Sequence, residues 1–99
     1  MGAAEDLQRL ELTIGRVVDV DEHPGARGPS YLLTVDLGPR GRRSATLAAP
    51  SYAKEDLRGR QVVCVLDGDE LLVLGAHSHA HGIVLLAPDR EVEDGASVA

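Results

Sequence analysis

A chain of 99 residues makes one domain with room for a single modest core, and its hydrophobic fraction of 43% excludes intrinsic disorder. The net charge of −6 is unevenly divided: residues 40–60 hold six cations and two anions, net +4, against −10 for the remainder. That basic middle reads equally as a local footprint for phosphate and as a solvated strand face. No apolar run reaches bilayer length, which excludes a membrane-crossing helix. Cys64 is the only cysteine and sits in the apolar run Val62-Val63-Cys64-Val65-Leu66, so it reads as a small buried hydrophobe. Without a signal peptide it points to a reducing, cytoplasmic setting.

There is no Phe or Trp and there are only two Tyr, so Leu, Val and Ala supply the core, and Val clusters between Gly and Pro favour strands. Residues 1–9 read as a flexible or helical lead-in, with Leu7 and Leu10 on one helical face. From Leu10 the period is two. Leu10, Leu12, Ile14, Val18 and Val20 are expected on the buried face of a long strand, with a bend at Gly15. His23 to Pro29 is a turn-rich loop. Tyr31, Leu33, Val35 and Leu37 then alternate with Leu32, Thr34 and Asp36 in a second strand, which puts Tyr31 in the core. Gly38-Pro39-Arg40-Gly41 makes a tight turn, and Arg42 to Ala48 pairs back as a hairpin.

Pro50 interrupts, and residues 51–57 predict a short helix with Pro50 or Ser51 near its start and Gly59 past its end. Gln61 to Leu66 is a continuous apolar strand, Asp67-Gly68 a hairpin turn, and Leu71 to Leu74 the next strand. Gly75 to Gly82 is expected to be a loop carrying three His; Ile83 to Leu86 is the last strand, and residues 91–99 form an acidic tail. The expected fold is all-β, about five to six short strands with one or two short helical turns in one domain over 1–99, a small barrel or sandwich.

The chemistry-bearing residues are few. His77, His79 and His81 alternate, so an extended backbone would aim three imidazoles the same way, a pattern that can hold zinc, nickel or copper. An ordinary polar loop is the competing reading, because loops seldom hold ligands without further groups to orient them. Asp36, Asp67, Asp69 and Glu70 stand at turns or strand ends, where carboxylates serve the backbone. No nucleophile elbow, P-loop or glycine-rich dinucleotide motif is present, so neither an enzyme nor a resident cofactor is expected.

Several segments, in order, resemble the CsaA-like branch of the tRNA-binding-domain family. They are Ile14-Gly15-Arg16-Val17-Val18-Asp19-Val20, the stretch His23 to Leu33 with its Ala26-Arg27 and Pro29-Ser30-Tyr31, then Val35-Asp36-Leu37-Gly38-Pro39, Tyr52 to Val63, Leu72-Val73-Leu74-Gly75-Ala76 and Val84 to Arg90. The resemblance implies an OB-fold barrel, a homodimer built with the chain termini, and binding of tRNA-like RNA or of unfolded polypeptide as a secretion-related chaperone. Two departures stand out. Asp67-Gly68-Asp69-Glu70 replaces a longer, partly basic segment that forms part of the family's nucleic-acid-facing surface, and Leu47 stands where the family carries Gln.

OB-folds bind RNA with a basic groove and aromatic stacking platforms. Here stacking is nearly absent, so RNA binding is expected to be weak and salt-dependent. The residues expected to carry it are Arg40, Arg42, Arg43 and Ser44, with Arg27 and Lys54 at the rim. The alternative is a peptide-binding chaperone homodimer that has lost the RNA surface with the shortened hairpin.

Overall fold

A computed structural model describes residues 2–23, 30–48 and 51–98. A short helix (α1, Ala3–Arg9) leads into a long strand (β1, Glu11–Glu22). A second strand (β2, Tyr31–Asp36) reaches a third (β3, Arg42–Leu47) through a 3-10 turn at Gly38–Arg40. A helical turn (α2, Lys54–Leu57) precedes a hairpin (β4, Gln61–Asp67; β5, Glu70–Val73), and a second hairpin follows (β6, Gly75–Ser78; β7, Gly82–Leu85).

β1 organises the molecule because it serves two neighbours. Its first half pairs with β4, Glu11 opposite Leu66 through Arg16 opposite Gln61, and its second half pairs with β2. The sheet runs β3-β2-β1-β4-β5, every pairing antiparallel. Its two edges, β3 and β5, approach each other across the back, so the sheet curls into a nearly closed five-stranded barrel, the small OB-type architecture. Inside lie Val17, Leu33, Val35, Leu37, Val62 and Cys64, with Leu57 of α2 plugging one end, all wholly buried. Each Val or Leu buried in this way contributes about 1.5–3 kcal/mol.

Three expectations are corrected. First, the barrel-facing phase of β1 is Gly15, Val17 and Val20; Ile14 is buried as expected but on the opposite face, and Leu10, Leu12 and Val18 are not buried. A register shift between Val17 and Asp19 inserts an extra residue, so two core valines stand three apart. Gly15 is core-facing: a Cβ there would lie 2.3 Å from Val35 Cγ1, so the strand can pass this close only without a side chain. Second, the acidic tail is docked. Gly95 N–H donates to Ile14 O at 2.7 Å, Ile14 N–H to Ala96 O at 2.9 Å, and Val98 N–H to Leu12 O at 3.0 Å. This cover leaves Ile14, on the outside of the barrel, only 5% exposed. Third, the expected histidine loop is the β6–β7 hairpin, with Ala76 opposite Val84 and His77 opposite Ile83.

The predicted helix starts later than expected, with Ala53 in extended conformation just before Lys54. Tyr31 packs against the core and its hydroxyl donates to Tyr52 O at 2.8 Å; the Tyr52 hydroxyl accepts from Leu85 N–H at 3.1 Å. Both tyrosines are therefore committed to the scaffold. Among the described residues, no helix is long and apolar enough to cross a membrane.

Candidate nucleic-acid interface

Strand alternation sorts the basic segment. On β3, Ala45 and Leu47 face the core, so Arg42, Ser44 and Thr46 face out. Arg42 is opposite Asp36 and Ser44 opposite Thr34. Arg43 has the inward phase at the mouth of the barrel, and its guanidinium donates to Arg40 O and Arg42 O at 3.1 and 3.0 Å, bracing the turn. Arg40 lies in the 3-10 turn and pairs with Glu11 at 3.0 Å. Leu47, at the position where the family carries Gln, points into the core and leaves the outer face untouched.

The other cations meet acids supplied by β1. Lys54 approaches Glu22 at 3.9 Å and Arg58 approaches Asp19 at 3.5 Å. Arg60 lies over the Tyr52 ring, 5.3 Å from its centroid, and donates to Asp56 O. The structure thus brings Arg42 and Ser44 together on one exposed row, turns Arg43 away, and places Arg40 and Lys54 in surface ion pairs. Arg42 has no side-chain partner among the described residues. Arg27 lies outside the described residues.

Between the outer rows of β3 and β5 is a shallow cleft of about 260 Å³, lined by Leu32, Ser44, Thr46, Glu70 and Leu72 among others. Sequence reasoning found only Ser44 here. The alternation of β5 puts Glu70 and Leu72 on its outer face, but the meeting of β3 with β5 joins segments that are not neighbours in the sheet order.

A second concavity, about 300 Å³, lies beside Arg16, Arg60, Gln61 and Arg90. Its chemistry is internal. Arg16 donates to Glu91 and Asp94 and to Gly59 O, and Gln61 donates to Asp94 Oδ1 at 2.9 Å and to Val92 O at 2.7 Å. The hydrogen bond it donates to Glu91, then that to Asp94, holds the pKa of the Arg16 guanidinium above its usual value. This cluster fastens the tail to the barrel. Burial pushes the Cys64 thiol up to about 11, so it stays protonated and unreactive at neutral pH. His77 lies in β6 and His79 and His81 in the turn; among the described residues, no three His, Cys, Asp or Glu converge on a metal position.

No protein-family model matches the chain. It is 33% identical to the methionine–tRNA ligase of Thermococcus onnurineus over 102 aligned positions, covering 95% of this chain and 14% of the ligase. The ligase of Pyrococcus furiosus matches at 32% identity with the same coverage, so the chain spans 14% of the length of these relatives. Among solved structures, the chaperone CsaA of Bacillus anthracis superposes with a TM-score of 0.89 at 33% identity, over 100% of this chain and 99% of that one. The CsaA chaperone of Picrophilus torridus gives 0.91 at 26% identity over 100% of both chains. A MetRS-related protein of Pyrococcus horikoshii, 17% identical with a TM-score of 0.81 over 100% of this chain and 98% of that one, shares the fold. Identity of one-third along a match that runs end to end, on a barrel of the same topology, places the chain in the CsaA-like branch of the tRNA-binding-domain family, with a shortened β4–β5 turn.

Proposed function

We propose that this chain is a non-catalytic, cytoplasmic module that binds tRNA or tRNA-like structured RNA through the outer face of β3 and its flanking turns. The observation that carries the reading is Arg42, exposed and with no side-chain partner among the described residues, on the same row as the Ser44 hydroxyl. Arg42 contacts phosphate and Ser44 a sugar or phosphate oxygen. Arg40 and Lys54 join at the rim: exposed ion pairs such as theirs are worth about 0.2–1 kcal/mol, so an arriving phosphate can displace Glu11 and Glu22. Arg27 is assigned to the same rim, and Arg43 acts by holding the turn rigid. The matches to two methionine–tRNA ligases support this reading.

Binding is weak, because few phosphates are contacted and the molecule carries a net charge of −6, and it falls with salt because those phosphate contacts carry it. A gel-shift titration with bulk tRNA at low and moderate salt tests it; absence of a shift even at low salt removes the proposal. The likeness to two CsaA chaperone structures, together with the exposed Leu32 and Leu72 lining one cleft of this chain, favours a second reading as a binder of unfolded polypeptide. Suppression of client aggregation without RNA would support that one instead.

The functional unit we propose is a homodimer formed through the terminal segments. Leu10, Val84, Leu86 and Val92 remain exposed in these parts of the chain, and burial of such side chains is what dimerisation would contribute. Light scattering across a concentration series distinguishes dimer from monomer.

A further inference from the structure

We infer that the cleft between β3 and β5 is a pocket for one unstacked nucleobase, with guanine its preferred occupant. The inference rests on the RNA-binding reading and assigns a specificity to it.

The cleft combines two features that a solvated surface does not usually pair. Leu32 and Leu72 stand 36% and 52% exposed, offering aliphatic surface to a flat ring. Between them the Ser44 and Thr46 hydroxyls and the Glu70 carboxylate have no side-chain hydrogen bond among the described residues. The shape excludes an inserted strand. Paired strands lie about 4.7–4.9 Å apart, so a peptide strand between β3 and β5 would need them about 9.5 Å apart. Their Cα atoms approach within 8 Å, and no ladder joins them. A planar group slotted across the outer rows fits; an added strand does not.

The polar groups choose the ring. A carboxylate only accepts hydrogen bonds and repels phosphate, so Glu70 faces a base edge and not the backbone. Guanine presents two adjacent N–H donors on its Watson–Crick edge, matching the two carboxylate oxygens; cytosine and adenine present one amino group, and uracil one imide N–H flanked by carbonyls that the carboxylate repels. The Ser44 and Thr46 hydroxyls donate to ring acceptors. Arg42, two residues from Ser44 on the same row, takes the phosphate of that nucleotide, about 7 Å along the strand.

The test is fluorescence anisotropy with hexauridylate and with the same hexamer carrying one central guanosine, alongside bulk tRNA, at low salt. Wild type is expected to bind the guanosine hexamer at least tenfold more tightly. Glu70→Gln should cut that preference to twofold or less while strengthening hexauridylate binding, because a repulsive charge is lost. Leu72→Ala should weaken the guanosine hexamer several-fold and hexauridylate little. Glu70 and Leu72 are exposed, so both variants keep the fold. Equal binding of both hexamers by wild type, or a preference that survives Glu70→Gln, overturns the pocket and leaves the RNA reading standing. Binding of neither hexamer nor tRNA removes the RNA reading itself. Displacement of either hexamer from Leu72 by an unfolded polypeptide, without any guanosine preference, assigns the cleft to peptide and overturns the proposal.

Discussion

Arg16 Nε donates to Asp94 Oδ1 at 3.1 Å across 78 residues of sequence, and the same carboxylate oxygen accepts from Gln61 Nε2 at 2.9 Å. One tail residue thereby ties β1, β4 and the C-terminal segment together at a half-buried point. Asp94→Ala strands two donors, and we expect a loss of about 1–2 kcal/mol. Equilibrium urea unfolding checks this; an unchanged midpoint would show that the tail contributes nothing to the fold. Asp94→Asn should lose less, since an amide oxygen still accepts.

Cys64 makes stability depend on alkaline pH. Its folded-state value of about 11 lies above the ordinary 9.0, so the folded protein keeps a proton that the unfolded chain releases. The contribution is complete below pH 9.0, declines as pH rises, and is lost above about 11. Two units correspond to roughly 2–3 kcal/mol at most. The informative quantity is the difference between wild type and Cys64→Ala: the variant's stability curve should be flatter between those limits. Parallel curves would contradict the buried thiol.

Gly15 should resist any side chain. A Cβ at this position meets Val35 Cγ1 at 2.3 Å and Leu37 Cδ2 at 3.0 Å, both wholly buried residues with little room to yield. Gly15→Ala is expected to cost about 1–3 kcal/mol, lowering Tm by about 4–8 °C per kcal/mol in a domain of this size. Calorimetry gives the answer directly, and a Tm within a degree of wild type would refute the close approach.

The basic segment should divide by strand phase. Arg42→Ala should weaken tRNA binding several-fold and reduce the slope of log K against log salt by about 0.9, the signature of one lost phosphate contact. Arg43→Ala should leave that slope unchanged and mainly loosen the Gly38–Arg40 turn, whose carbonyls its guanidinium braces. Anisotropy at four or five salt concentrations separates the two; equal slopes for both variants would undo the assignment.

Most strands of the barrel are legible from local pattern. The alternation of Tyr31, Leu33, Val35 and Leu37, the apolar run of β4 and the Asp67-Gly68 turn each carry their structure within a few residues. The β1 phase was not legible, because a bulge changes the period without any local residue announcing it, and Gly15 reads as a breaker until its closeness to Val35 is known. The tail reads as solvated acid because its partners, Arg16 and Gln61, are remote in sequence.

The sequence by itself determined a small all-β domain, barrel or sandwich, with an aliphatic core, since side-chain period and turn chemistry act over a few residues. It also concentrated positive charge in residues 40–60. Only the tertiary structure decided what that charge meets: β1 brings Glu11, Asp19 and Glu22 against Arg40, Arg58 and Lys54, while strand phase leaves Arg42 facing outward. Charge pairing and cleft formation depend on which distant strands become neighbours, and that is a property of barrel closure rather than of any local segment.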